Sequence, residues 1–243
     1  MRVKKWLMVL VLFALVGSSF ALTISWNGSQ TDKSWGIAEN WGGGVLPGAL
    51  DQARNIIATS VPIVNSTVPT VTSVNIFNAS GPSVSIVDGG SLTVTTFFGL
   101  GQNISTFGTL DMSGGTLTVV TGLRVGTNGT GTINMSGGTI TCGSLSVPTS
   151  AGSGVVNLSG GSIITDDLLM SVNGRINIQN TGSILIHGNS LTEVQGYITS
   201  GWITNARTYL AGENTMITLV PEPATIALLG LSGLVLLRKK RDN

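Results

Sequence analysis

Polar and apolar side chains alternate along the middle of the chain, in segments that resemble one another. Three of these segments contain a Ser-Gly-Gly triplet, and the triplets begin at Ser113, Ser136 and Ser159, each 23 residues after the one before. Fainter copies of the same segment begin at Asp88 and Gly174, so at least five units are visible. Similar segments at a fixed spacing indicate an internal repeat.

Each unit has the period-2 alternation that is typical of short strands with one buried face. Three pairs of inward positions per unit predict three strands, and the glycine pairs between them suit tight corners. The inward positions predicted for the first strand are Leu110 and Met112, Ile133 and Met135, Val156 and Leu158, and Ile176 and Ile178. The second strand provides a predicted inward column of Val94, Val119, Cys142, Thr165 and Ile186.

These repeats predict an all-β fold, a right-handed parallel β-helix (β-solenoid) with about 23 residues per coil. One unit cannot bury its apolar face alone, whereas stacked units about 4.8 Å apart would bury a continuous core. An antiparallel hairpin sandwich is the competing fold. Constant phase from copy to copy favours the solenoid, as does the recurrence of Asn134, Asn157 and Asn177 at one outward position, which Asp111 occupies in the preceding unit. Those amides would either form a hydrogen-bonded ladder or be solvated surface residues.

The N-terminus has the layout of a secretory signal peptide. Arg2, Lys4 and Lys5 precede an apolar run over residues 6–16, and small residues at Ser19 and Ala21 suit cleavage after Ala21. We therefore predict a signal peptide with a signal helix over 1–21, and export of the remaining chain by the Sec machinery.

Charge and composition exclude several functions for the exported body. Residues 22–220 contain five basic and nine acidic side chains, which leaves no basic patch for phosphates, and we predict no nucleic-acid binding. One cysteine cannot form an internal disulfide, so packing must stabilise the fold. Calcium-binding nonapeptide repeats need an Asp after the glycines, and here Thr-Leu-Thr or Thr-Ile-Thr follows, so we predict neither a metal nor a cofactor.

Aromatic residues are concentrated at both ends of the predicted stack. Trp26, Trp35 and Trp41 lie within sixteen residues, and they would either cap the open core or contact carbohydrate. We assign residues 22–55 to this Trp-rich N-terminal cap and residues 56–196 to the repeats. Tyr197 and Trp202 begin a predicted C-terminal cap over 197–219, which also contains Tyr209.

The C-terminus combines three short elements that form the last predicted unit, residues 220–243. A fourteen-residue apolar run over 224–237 is short for a permanent membrane span, which needs roughly 20 residues. The run follows a Pro-Glu-Pro and precedes a basic cluster. The residues of these two flanking motifs are Pro221, Glu222 and Pro223, and Arg238, Lys239, Lys240 and Arg241.

This tail resembles the PEP-CTERM sorting signal of exported bacterial proteins. The resemblance implies recognition by a membrane-embedded exosortase, processing near the Pro-Glu-Pro, and transfer of the body to the cell surface or to extracellular polysaccharide. The apolar run over 224–237 would then be a short transmembrane helix that anchors the chain transiently in the inner membrane, with the basic cluster on the cytoplasmic side. The front segment, which includes Trp35, Asn40, Trp41, Pro47 and Asp51, resembles the opening of β-helical, autotransporter-like repeat proteins.

Residues suited to catalysis are scarce in the body, so we expect no enzymatic activity. Asp166 and Asp167 are adjacent and are predicted to point to opposite faces of a strand, and His187 is predicted to be a surface residue at a strand end. Polysaccharide lyases and hydrolases share the fold, but fold alone does not license catalysis. Two functions remain, a structural protein of the cell surface or of an exopolysaccharide (biofilm) matrix, and an adhesin or carbohydrate-binding module.

Overall fold

The computed structural model describes residues 21–148 and 151–220. The fold is a β-solenoid of about seven turns with roughly 23 residues per coil, and 54% of the structure is strand. The predicted all-β solenoid is therefore confirmed. The predicted signal helix and transmembrane helix lie outside the described residues.

Sixteen strands form one continuous sheet around the solenoid. The strands are β1 Thr23–Ser25, β2 Gln52–Asn55, β3 Ile63–Val64, β4 Ser73–Ile76, β5 Ser83–Ile86, β6 Ser91–Val94, β7 Phe97–Leu100, β8 Phe107–Met112, β9 Thr116–Val125, β10 Thr130–Val147, β11 Ser153–Met170, β12 Gly174–Ile178, β13 Ser183–Ile186, β14 Ile203–Thr204, β15 Ala206–Ala211 and β16 Asn214–Leu219. The helices are α1 Leu191–Thr199 and two 3-10 helices, Ala38–Asn40 and Gly42–Gly44.

Parallel pairing between consecutive coils reproduces the register that the repeats predict. Cys142 pairs with Val119 of the preceding coil and with Thr165 of the following one. Met135 pairs with Met112 and with Leu158 in the same way. Because side chains alternate between the two faces of a strand, this register brings each inward column together along the axis.

The core is the continuous stack of these inward columns. In the first-strand column the exposed fraction is 0% for Leu110, Ile133, Val156 and Ile176 alike. Burial of each such aliphatic side chain contributes about 1.5–3 kcal/mol to the free energy of unfolding. Cys142 lies in the same core as a free thiol and is 4% exposed, so its predicted burial is confirmed.

Strands β10 and β11 continue through the corners of their coils, and glycines make this close approach feasible. Gly138 has a φ of +82°, and a Cβ atom built on it would lie 2.5 Å from the carbonyl oxygen of Gly114 in the coil before. A side chain at this position would therefore be excluded both by the backbone conformation and by the neighbouring coil.

The stack begins earlier in the chain than the visible repeats indicate. Strands β1, β2 and β4 pair in parallel and continue into β7, so β1 and β2, both within residues 22–55, already belong to the solenoid. These coils have no Ser-Gly-Gly triplet, because the loops between their strands differ in length and composition.

The far end of the stack changes direction. Strand β16 pairs antiparallel with β13 on one side and with β15 on the other, and β15 is the last strand in the order. Helix α1 begins at Leu191 and contacts β15 and β14. The hairpin of β15 and β16, together with α1, covers the end of the solenoid, as a cap must do to protect open strand edges.

Candidate functional site

The sorting motif begins immediately where the folded body ends. Strand β16 ends at Leu219, and the backbone N–H of Val220 donates a hydrogen bond of 2.9 Å to the carbonyl oxygen of Asn205. This bond fixes the path of the chain up to the last described residue. The predicted sorting residues Pro221, Glu222 and Pro223 and the basic residues Arg238, Lys239, Lys240 and Arg241 lie outside the described residues, as does the apolar run.

The three tryptophans of the front segment form one buried cluster. Trp41 makes edge-to-face contacts with both Trp26 and Trp35, with ring centroids 5.1 Å and 4.6 Å apart. The indole N–H of Trp26 donates to Ser60 Oγ, and that of Trp41 donates to the carbonyl oxygen of Trp35. Each ring is 1% exposed, so none offers a face on which a sugar could stack, and we place no carbohydrate contact on them.

The recurring outward asparagines form a hydrogen-bonded ladder. Asn134 Nδ2 donates to Asp111 Oδ1 at 2.9 Å, and Asn157 Nδ2 donates to Asn134 Oδ1 at 2.9 Å. Asn177 Nδ2 donates to Asn157 Oδ1 at 2.8 Å, and the Thr204 hydroxyl donates to Asn177 Oδ1 at 2.8 Å. Of the two alternatives, ladder or solvated surface, the structure therefore selects the ladder, and all its amides point toward one carboxylate.

Asp166 and Asp167 do not point to opposite faces, and this prediction is wrong. Both carboxylates are exposed, because the chain turns a corner between the inward residues Thr165 and Leu168. His187 Nδ1 lies 2.6 Å from Asp166 Oδ1, and the two side chains are 50% and 66% exposed. The predicted surface position of His187 is confirmed. An exposed pair of this kind is a solvated surface contact.

Within residues 21–148 and 151–220, no three His, Cys, Asp or Glu side chains lie together in a way that could hold a metal ion. None of the helices in the described part of the chain has the length and the apolar character needed to cross a bilayer.

Aromatic side chains also build the C-terminal cap. Tyr197 stacks on Trp202 with ring centroids 5.6 Å apart, and its hydroxyl donates to Glu193 Oε1. Burial, and then the bond and charge of Glu193, raise the pKa of Tyr197 to about 12. Tyr209 differs from these rings because it is 41% exposed, with the Arg207 guanidinium 5.7 Å from its ring centroid.

An open groove crosses the corners of several coils, and sequence analysis missed it. Its volume is about 560 Å³, and its lining includes Phe107, Val172 and Arg175. Phe107 and Val172 are 46% and 65% exposed. These residues occupy corners and strand ends, where the alternation pattern does not predict which side chains meet. An exposed aromatic ring just before an inward glycine was the signal that could have located the groove.

The fold and its C-terminal extension together define a class of protein, an exported β-solenoid that is sorted through a C-terminal tail. Residues 219–241 match the family model described as the PEP-CTERM protein-sorting motif. No curated protein and no solved structure matches the chain. The motif and the solenoid together fit a PEP-CTERM protein with β-helical repeats. The motif implies processing by exosortase, export, and membrane-anchored sorting to the surface.

Proposed function

We propose that the solenoid body is a non-catalytic structural element of the cell surface or of an exopolysaccharide matrix. The observation that carries this proposal is the position of the sorting motif, whose match begins at Leu219, the last residue of strand β16. Sorting thus acts on a rigid unit. The inward residues of its repeats form the core, and the outward asparagines form the hydrogen-bonded ladder between coils. The scarcity of clustered titratable side chains in the described residues supports a role without catalysis.

Processing at the motif is the first test of this proposal. In the bacterium that makes the protein, mass spectrometry of the extracellular form should find a C-terminus close to Pro221, Glu222 and Pro223. Replacing these three residues with alanine should retain the chain in the membrane fraction. Glu213→Ala is the matched control, because it removes an exposed carboxylate from the neighbouring hairpin turn and should leave processing unchanged. An extracellular form that still ends at Asn243 would contradict sorting.

The second candidate function is that of an adhesin or carbohydrate-binding module. The observation that favours it is the groove, which is lined both by an exposed aromatic ring, Phe107, and by a cation, Arg175. Rings that combine an apolar face with nearby polar groups are common in binding sites for sugars. Cosedimentation of residues 22–219 with exopolysaccharide from the same cells separates the alternatives. Binding that Phe107→Ser abolishes and Val120→Ser leaves intact would favour the module, since Val120 is also exposed but lies outside the groove.

A further inference from the structure

The distance between the folded body and the apolar run is short, and it limits how far the body can lie from the membrane. Only residues 221–223 separate Val220 from Ala224, where the apolar run begins. Four residue steps, from 220 to 224, span at most about 14 Å even when fully extended. Because Val220 is bonded to Asn205, unravelling of the body adds no slack while this bond persists.

The length of the apolar run draws the body closer still. A helix of fourteen residues would be about 21 Å long, whereas the hydrocarbon core of a bilayer is about 30 Å thick. A short run is accommodated by local thinning of the bilayer or by burial of flanking residues. Either response brings Val220 toward the headgroup layer, which is about 5–8 Å thick on each side.

The surface at this end of the body has the chemistry of a membrane interface. Strand β15 is the last strand of the stack, and its residue Tyr209, on the same face as Arg207, is 41% exposed. Val220 is 46% exposed at the open end of the same hairpin. Arg207 lies beside Tyr209, and tyrosine, arginine and aliphatic side chains together suit the boundary between headgroups and acyl chains.

Charge on the hairpin determines which end lies nearer the lipid. Arg207 is near the open end, and it pairs across the hairpin with Thr218. Glu213 lies in the turn at the opposite end of the hairpin and is exposed. The exposed Glu193 on α1 accepts the hydroxyl hydrogen bond of Tyr197. Negative lipid headgroups therefore favour the open end, which is also the end from which the tail leaves.

We propose that, while the tail is anchored, the open end of the β15–β16 hairpin contacts the lipid surface through Arg207, Tyr209 and Val220, which lie on one face of the hairpin. This inference rests on the membrane-anchored stage of sorting, and it is independent of what the body does after release. The partner of this surface is the lipid interface itself, because the tether keeps the open end of the hairpin within about 14 Å of the apolar run. The solenoid would then stand with its C-terminal cap toward the membrane and its tryptophan cluster away from it.

The test compares two exposed residues at opposite ends of the body. In a Cys142→Val background, the exported chain, residues 22–243, carries a fluorophore on Tyr209→Cys or on Val45→Cys, and it is reconstituted in vesicles of phosphatidylethanolamine and phosphatidylglycerol. A nitroxide on the lipid headgroups quenches fluorophores near the surface. Val45 is the control because it is 55% exposed and lies in the front segment. Circular dichroism confirms that both labelled chains are folded.

We expect quenching at position 209 to be at least five times that at position 45. Equal quenching, or no quenching at 209 in protein that floats with the vesicles, would overturn the lipid contact and leave membrane anchoring intact. Protein that fails to float would overturn the anchoring and the contact together. Quenching at 209 that occurs only in membranes containing the exosortase would assign this face to the enzyme, and would also overturn the proposal.

Discussion

At the scale of single residues, Asn134 and Met135 show how strictly the register is defined. They are neighbours in β10, yet Met135 is 1% exposed and lies in the core between Met112 and Leu158. Asn134 points outward and donates its amide to Asp111. Because side chains alternate, a shift of one residue would exchange the two environments.

Aspartate at each of these two positions should therefore have very different effects. Met135→Asp buries an unpaired carboxylate and should lower the free energy of unfolding by several kcal/mol. Asn134→Asp loses one hydrogen bond and places an exposed carboxylate beside the half-buried Asp111, which should cost about 1 kcal/mol. Urea denaturation of residues 22–219 measures both values.

A control variant isolates the repulsion at position 134. In an Asp111→Asn background, Asn134→Asp again faces an amide donor, so most of its cost should disappear. If Asn134→Asp is more damaging than Met135→Asp, the inward assignment of β10 is wrong.

Cys142 gives a second prediction at this scale. Desolvation by burial raises its pKa from 9.0 to about 11, with an opposing hydrogen bond from Thr165 and a smaller contribution from the charge of Asp166. We expect thiol reagents to label it slowly in the native protein and rapidly in urea. Immediate labelling of the native protein would contradict its burial.

The same raised pKa predicts a pH dependence. The folded chain binds the thiol proton more tightly than the unfolded chain does. The stability that this proton contributes is therefore fully present below pH 9 and is lost as the pH rises from 9.0 toward about 11. The loss from this group is at most about 1.4 kcal/mol per pH unit. The free energy of unfolding of the Cys142→Val variant should fall less steeply with pH over this range. Because both proteins contain Tyr197 and the other titrating groups, the difference between the two curves isolates the contribution of Cys142. Parallel curves for the two proteins would contradict the prediction.

At the scale of elements, the corners test how closely the coils approach. Gly138→Ala forces a left-handed conformation on alanine and places its Cβ atom 2.5 Å from a backbone oxygen, so it should cost about 2 kcal/mol or more. Gly196→Ala lies in α1 with open space around it and should stabilise by about 0.5–1 kcal/mol. Thermal unfolding compares the stability of the two variants. If both substitutions destabilise the protein by similar amounts, the coils do not approach each other closely at Gly138.

Sequence reasoning located the elements whose side chains repeat. It predicted the inward columns and the outward asparagine column, because alternation and spacing determine both. It assumed the same alternation at Asp166 and Asp167 and so placed them on opposite faces. That placement is wrong because alternation fails where a strand turns a corner. It also did not predict the antiparallel β15–β16 hairpin, since no repeat precedes it that could indicate the direction of pairing.

At the scale of the whole molecule, the candidate site was only partly accessible from sequence. The sorting residues were recognised from the order of three local elements, which needs no tertiary information. The groove and the face around Tyr209 depend on which corners and ends meet in space. The tryptophan cluster shows the same limit, because proximity in sequence suits either a sugar platform or a cap, and only its burial at 1% separates the two.

The parallel register has a further consequence for how the protein is completed during export. Each strand of the repeats pairs with one about 23 residues earlier, as Val156 does with Ile133, so its template has already left the channel when it emerges. Growth can therefore proceed vectorially, one coil at a time. Strand β16 alone reverses direction among the strands described here. Closure of the stack thus waits until the residues just before the sorting motif have crossed the membrane.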